Sequence, residues 1–463
     1  MPSFDPDVLA AWTGGAWSGR PSAALLGFSV DSRRLAPGHC FVALRTERRD
    51  GHDFLGEALK AGASAALVSR HLPDVAIPQL MVADPLTALQ SIAREHRRAF
   101  KGKVFGITGS AGKTSTKELL ALALGGQAGE VLATEGNLNN HIGVALTLCR
   151  LDPARNRFAV IEAGISAPGE MAVLAGMIEP DVTIVTLIAA AHLADLGGLE
   201  GVAREKAVLA KPSSRLICSI FPEECLFYAA FREISANKTL VLGPSAGGVR
   251  PGRAAYTVSH EGDRTRVVVR LAGGTTDVTV GRTTEGMARN VALAVCAALT
   301  FGIPEAEIRR RLAEWHPSPM RGEWKSSDGQ RIYLDCYNAN PASMADALAT
   351  FAAVAPAGKP RLLLIGCMEE LGAESERYHI ELGRSINLRK GDRLVAIGSL
   401  ASAIRTGALA SGNGPDQIET GETVGAFAST ISAFRGSVFV KGSRRHQLEK
   451  AFMGEELAGV GHA

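Results

Sequence analysis

The chain has 463 residues, 46% of them apolar and 21% charged. That mix fits a globular protein of about two to four domains and excludes a disordered, collagen-like or coiled-coil chain. Fifty Lys and Arg against 47 Asp and Glu leave a net charge of +3, too little to call for a nucleic acid or a membrane surface.

The seven cysteines are odd in number and never at C-x-x-C spacing, which argues against a disulfide framework or a structural zinc site. The start, Met1-Pro2-Ser3-Phe4-Asp5, lacks the basic and apolar regions of a signal peptide. The apolar run at 291–303 falls short of the ~18 residues of a membrane span. A cytoplasmic protein is expected.

In chain order, apolar stretches at 25–30 and 39–44 predict strands, 54–61 a helix closed at Gly62, and 65–68 another strand. Residues 86–100 place Leu86, Leu89, Ile92 and Ala93 on one helical face, behind an Asp84 N-cap and Pro85 at the first helical position. From Lys103 the rhythm changes. A strand at 104–108, a glycine turn at 109–112 and a helix at 113–124 precede a strand at 158–162, a helix at 169–177, a strand at 182–186 and a helix at 202–210. This alternation is that of a parallel sheet. Residues 243–283, rich in glycine and β-branched side chains, predict β-hairpins inserted in or flanking that sheet, and 289–301 returns to helix. A third unit opens near Pro317-Ser318-Pro319, with four buried-strand candidates at 332–335, 361–365, 393–397 and 437–440. The expected fold class is α/β in three domains: mixed α/β over 1–100, a P-loop-type parallel sheet over 101–316, and a Rossmann-like unit over 317–463.

The most informative segment is Thr108-Gly109-Ser110-Ala111-Gly112-Lys113-Thr114-Ser115-Thr116. Gly109 and Gly112 allow a tight turn whose N–H groups face an anion, and the following helix adds its positive end. Lys113 has the reach for β/γ-phosphate oxygens, and the Thr114 hydroxyl suits Mg²⁺. The strict G-x-x-x-x-G-K-[ST] spacing is not met, because Gly106 lies one residue too far away. The plain alternative is a glycine turn before a helix. The strand before it, the helix after it and the G-K-T within it favour ATP or GTP.

Further motifs carry a resemblance to a known family. Asp31-Ser32-Arg33, Pro37-Gly38 and Asp50-Gly51-His52-Asp53-Phe54 stand in the first block. Gly136-Asn137-Leu138-Asn139-Asn140-His141-Ile142-Gly143, Glu162, His192 and Lys206 stand in the second. Asp335-Cys336-Tyr337-Asn338-Ala339-Asn340-Pro341, Gly366-Cys367-Met368-Glu369-Glu370-Leu371-Gly372 with His379, and Lys441-Gly442-Ser443-Arg444 stand in the third. From about residue 29 to 450 the chain resembles the Mur ligases, ATP-dependent amide-forming enzymes of peptidoglycan synthesis, and most of all their MurF type, which adds D-alanyl-D-alanine to UDP-N-acetylmuramoyl-tripeptide.

The resemblance implies a UDP-side role for Ser32 and Arg33 and a precursor-facing role for Asn139 and Asn140. It implies that Gly109 to Ser115, Asn290, Arg321 and Asp335 bind ATP, Asp335 through the ribose hydroxyls and Arg321 through the phosphates. Asn338 and Asn340 would line the nucleotide and dipeptide side. It implies two Mg²⁺ sites, one on Thr114 and Glu162 and a second near His192 and Lys206, with Lys206 carbamylated by CO₂ and Lys113, His192 and Lys206 catalytic. It further implies a monomer, with hinges near residues 100 and 317 that stand open without ligands.

Several family positions differ here. The asparagine expected at 187 is Leu187, and the H-N-x-x-N of the adenine-binding helix reads Gly286-Met287-Ala288-Arg289-Asn290. Leu334 and Cys336 replace an aspartate and a serine, and Cys367 replaces an aspartate. These departures keep two alternatives open: a related ligase with another acceptor, and a nucleotide-binding paralogue without turnover. A D-N-P-R motif, expected of the MurE type, is absent from the sequence.

Overall fold

A computed structural model describes residues 2–126, 129–211, 213–244, 249–327 and 329–452. Its strands form three sheets. The first has, in spatial order, Ala16–Trp17, Gln79–Met81, Ala65–Val68, His39–Val42 and Gly27–Ser29, parallel except at the Ala16–Trp17 edge. Helix Pro85–Ala99 follows, capped by the Asp84 side chain and opened by Pro85 as expected from the sequence.

The second sheet has nine strands. Gly274–Gly281, Arg264–Leu271 and Arg253–Glu261 form an antiparallel meander, and this continues into the parallel run Thr239–Pro244, Cys218–Pro222, Val182–Val185, Lys103–Thr108, Phe158–Glu162 and Val131–Ala133. The hairpins expected at 243–283 thus extend the parallel sheet at its edge. The helix expected from 289 begins a turn earlier, as Glu285–Thr300, because the Thr284 hydroxyl caps it by accepting the Met287 N–H at 3.1 Å.

The third sheet holds six strands, not four: Glu323–Ser327, Gln330–Asp335, Gly436–Lys441, Arg361–Gly366, Arg393–Ile397 and Ile418–Gly421. The two that the sequence hid are the outer ones. They carry polar residues such as Glu323, Lys325, Glu419 and Thr420, since an edge strand buries little.

Packing between blocks is uneven. One apolar cluster runs from Phe4, Leu9 and Phe100 of the first block into Val144, Leu148, Met171 and Leu174 of the second. Arg97, fully buried, spans the same junction: it donates to the carbonyls of Ile178 and Glu179 and to Asp181 Oδ2 at 2.8 Å. The hinge expected near residue 100 is therefore a packed, ion-paired joint. Between Leu312 and Glu323, by contrast, lies a connector with Met320 and Gly322 at positive φ, tied to the phosphate-loop helix by a Ser318–Glu118 hydrogen bond. The third block has its own cores, joined to the second by Ala190 and Leu193.

Candidate active site

The site begins at the carboxyl end of the central strand Lys103–Thr108, which lies between Phe158–Glu162 and Val182–Val185. Open parallel sheets bind ligands at such an edge. Two glycines make the turn possible. Gly109 has φ +144° and a Cβ there would lie 2.0 Å from Thr186 Oγ1; Gly112 has φ +79° and a Cβ would lie 2.3 Å from Asn290 Nδ2. The loop is braced by Ser110 N–H on the Leu187 carbonyl at 2.7 Å and by the Ser110 hydroxyl on the Ala189 carbonyl at 2.9 Å. Since that brace uses a backbone carbonyl, Leu187 supplies it whatever its side chain. Helix Lys113–Leu124 follows, over the residues expected, and the first N–H groups of a helix have no partner within it.

Lys113 Nζ donates to the Gly109 carbonyl at 3.0 Å. Desolvation pulls its pKa below the ordinary lysine value, opposed by Glu162 and assisted by Arg321. Glu162 ends its strand fully buried. Its backbone N–H donates to Thr134 Oγ1 at 2.9 Å, and its Oε1 accepts from Asn139 Nδ2 at 2.8 Å. Its Oε2 is buried with no hydrogen-bond partner among the described residues. A bare carboxylate oxygen costs stability unless something occupies it. Beside a phosphate loop that occupant fits a divalent cation. Among the described residues no three His, Cys, Asp or Glu side chains cluster for a metal. Such an ion would therefore take most of its ligands from phosphate oxygens and water, as Mg²⁺ does.

The third block supplies the opposite wall. Asp335 ends strand Gln330–Asp335, and its Oδ2 accepts from the buried Lys441 Nζ at 2.6 Å. Lys441 also reaches the Asn338 carbonyl at 3.3 Å. Arg321 lies over the Tyr337 ring, 4.0 Å from its centroid. The Asn340 side chain caps helix Pro341–Val354 by accepting the Ser343 N–H at 2.9 Å, and its Nδ2 reaches the Ser110 carbonyl at 3.4 Å. The two domains thus touch across the cleft. One cavity of about 470 Å³ is lined by the phosphate loop from Ser110 to Ser115, Asn139, Glu162, Asn290, Arg321, Asp335, Asn338 and Asn340.

Other expected residues lie outside that cavity's walls. Ser32 and Arg33 form a short 3₁₀ turn capped by Asp31, whose carboxyl is held down to about 2, chiefly by its hydrogen bond from Arg33. Arg33 is exposed and paired with Asp31 at 2.8 Å, and the Ser32 hydroxyl is 3.5 Å from Glu57. Asn140 Oδ1 accepts from the N–H groups of Ile142 and Gly143. His192, at φ +53°, pairs through Nδ1 with Glu370 Oε2 at 2.9 Å, and Glu370 itself has φ +65°. Two residues in the left-handed region, one per domain, meet face to face, a conformation held only where the surroundings enforce it. Lys206 is buried on helix Leu199–Ala210. Its pKa is drawn well below the lysine value, first by desolvation and then by Lys113.

The sequence reading assigned no role to Lys441, Glu370, Arg289 or Asp346. The first three lie within motifs quoted above, and the signal available for the first two was their place at or just beyond parallel strand ends. A second cavity, of about 550 Å³, lies along the same edge of the third sheet and is lined by Glu369, Glu422, Arg445, His446 and Lys450, with Glu369 paired to Arg445 at 3.5 Å and to His446 at 3.4 Å.

Comparison with known proteins adds to this geometry. The family model "Mur ligase middle domain" matches residues 107–298, and "Mur ligase, glutamate ligase domain" matches residues 320–444. An Escherichia coli K12 protein named UDP-N-acetylmuramoyl-tripeptide–D-alanyl-D-alanine ligase is 33% identical over 91% of this chain and 92% of its own. A crystal structure of MurF from Acinetobacter baumannii superposes with TM-score 0.83 at 27% identity, covering 97% of this chain and 98% of that one. MurF from Thermotoga maritima in complex with ADP does so with TM-score 0.76 at 26% identity, covering 92% and 96%.

Proposed function

Since the chain belongs to the Mur ligase family, we propose that it joins D-alanyl-D-alanine to UDP-N-acetylmuramoyl-tripeptide, using ATP and passing through an acyl phosphate. A carboxylate is a poor electrophile, because oxide is a poor leaving group. Transfer of the γ-phosphoryl group of ATP to the peptide's terminal carboxylate gives an acyl phosphate, and the dipeptide's amine then attacks and expels phosphate.

The observation that carries this reading is the shared cavity: Lys113 and its loop on one wall, and the Asp335–Lys441 pair on the other. The loop N–H groups and Lys113 would hold the phosphates, and Arg321 would meet them from the facing domain. Asp335, fixed by Lys441, would accept the ribose hydroxyls. Thr114 and Glu162 would hold Mg²⁺, which when bound neutralises charge on the phosphate oxygens. A second Mg²⁺ would need His192 and a carbamylated Lys206, and burial of that amine favours the neutral form CO₂ requires. Asn139 would position the precursor beside Glu162. Ser32 and Arg33 would serve its UDP end. The second cavity, lined by carboxylates and by Arg445 and Lys450, offers both charge signs to the ammonium and carboxylate ends of a dipeptide.

The test is a phosphate-release assay over a matrix of UDP-muramoyl peptides and amines. Release is expected only with tripeptide and D-alanyl-D-alanine together. Release with another amine alone would redirect the acceptor, and tight ATP binding without release from any pair would favour a paralogue without turnover.

A further inference from the structure

Two helices leave the phosphate loop, one on each domain, and meet again deeper in the cleft. On the central domain, helix Glu285–Thr300 touches the loop where Asn290 lies against Gly112. Gly286, one turn earlier, stands about 6 Å further along its axis. On the C-terminal domain, helix Pro341–Val354 starts at Asn340, beside the Ser110 carbonyl, and Asp346 stands about 9 Å along it. There the Gly286 N–H donates to Asp346 Oδ2 at 3.0 Å, and the Thr284 hydroxyl bonds the same carboxylate. The contact requires glycine, since a Cβ at 286 would lie 2.5 Å from Asp346 Oδ2. The histidine of the family motif has no room there.

Asp346, Arg289 and Asn290 line the same cavity as the loop and Asp335. Arg289 Nε and Asn290 Oδ1 are buried without a hydrogen-bond partner among the described residues. With phosphates assigned to the loop and ribose to Asp335, the base falls to this end of the cavity, beside the helix that the family resemblance already gives to adenine; what the resemblance does not supply is a role for Asp346. Among the groups lining this end of the cavity, Asp346 and the unpartnered Asn290 Oδ1 are acceptors and the unpartnered Arg289 Nε is a donor. Adenine presents a donor at its 6-amino group. A 6-oxo purine would set a carbonyl oxygen, which has no proton to donate, against a carboxylate, leaving that oxygen unpaired and repelled, and a site built to hydrogen-bond rejects such an analogue strongly.

We infer that Asp346, seated by Gly286, is a nucleobase-specificity residue: its carboxylate accepts from the 6-amino group of adenine and excludes 6-oxo purines. This rests on the nucleotide reading of the cleft, but not on turnover. The test is calorimetric titration of the full chain with ADP and with IDP, which differ at the 6 position. The unaltered protein is expected to bind ADP at least about tenfold tighter than IDP. Asp346→Ala is expected to bring the two within about threefold. Asp346→Asn, of the same shape and able to donate to a 6-oxygen, shifts the ratio toward IDP, and Gly286→Ala, which crowds the carboxylate without removing it, lowers the ratio as well. A ratio unchanged by these substitutions, no preference in the unaltered protein, or no binding of either diphosphate would overturn the inference. Failure of the ligase reading would instead show in phosphate release, with these binding ratios intact.

Discussion

Lys113 is half-buried and Lys206 fully buried on the central domain, and the proposed reaction gives their amines opposite tasks. Lys113 keeps the Gly109 carbonyl as a partner, and the Glu162 carboxylate opposes the desolvation that lowers its pKa, which favours the charged form that phosphate oxygens need. Removing one preorganised cation from a developing charge costs about 10²–10³ in turnover. Lys113→Ala is therefore expected to lose at least that factor in phosphate release while the UDP precursor still binds. Lys206 has like charge from Lys113 added to its desolvation, and both favour the neutral amine. Activity is expected to fall when dissolved CO₂ and bicarbonate are stripped and to return on adding them. Lys206→Arg, which cannot form a carbamate, should be inactive with or without bicarbonate. A rate indifferent to bicarbonate would remove the carbamate from the account.

At the scale of elements, legibility followed burial and local chemistry. The helix Lys113–Leu124 and the strands Ala65–Val68, Phe158–Glu162 and Arg393–Ile397 could be read to the residue, because each is a short apolar run or starts at a glycine turn. The edge strands Glu323–Ser327 and Ile418–Gly421 could not, being polar. The phosphate loop, Glu162 and Asp335 were legible as motifs at strand ends. Asp346 was not, since its role depends on a glycine 60 residues earlier in the chain and on another domain. Nor was Arg97 legible: in sequence it is one more charge at a helix end. Folded, it is a buried ion pair with Asp181, and Arg97→Ala leaves that carboxylate uncompensated. The expected loss is about 3 kcal/mol, at the low end for such pairs because Asp181 keeps the Val104 N–H at 3.0 Å and Lys103. A urea unfolding midpoint unchanged by this substitution would show that the joint carries no such load.

At the scale of the whole molecule, the shared core and the Arg97 pair tie the first and second domains together, so any swing of the third is expected at the connector after Leu312. Spin labels at exposed positions 20 and 173 should keep their separation when ATP analogue and precursor are added, whereas labels at 173 and 402 should change theirs. A shift in the first pair would restore a hinge near residue 100. At the departures at 187 and 286 the structure keeps a contact by other means: one site uses a backbone carbonyl, and the other gains a carboxylate from the facing helix.

The central claim is that a phosphate loop and a ribose-holding aspartate on two domains close on one peptide carboxylate. Phosphate release measured with ATP, UDP-N-acetylmuramoyl-tripeptide and D-alanyl-D-alanine tests it most directly. The account expects release that needs all three and disappears in both Lys113→Ala and Asp335→Ala. Release that persists without the tripeptide, or survives loss of Lys113, would contradict it.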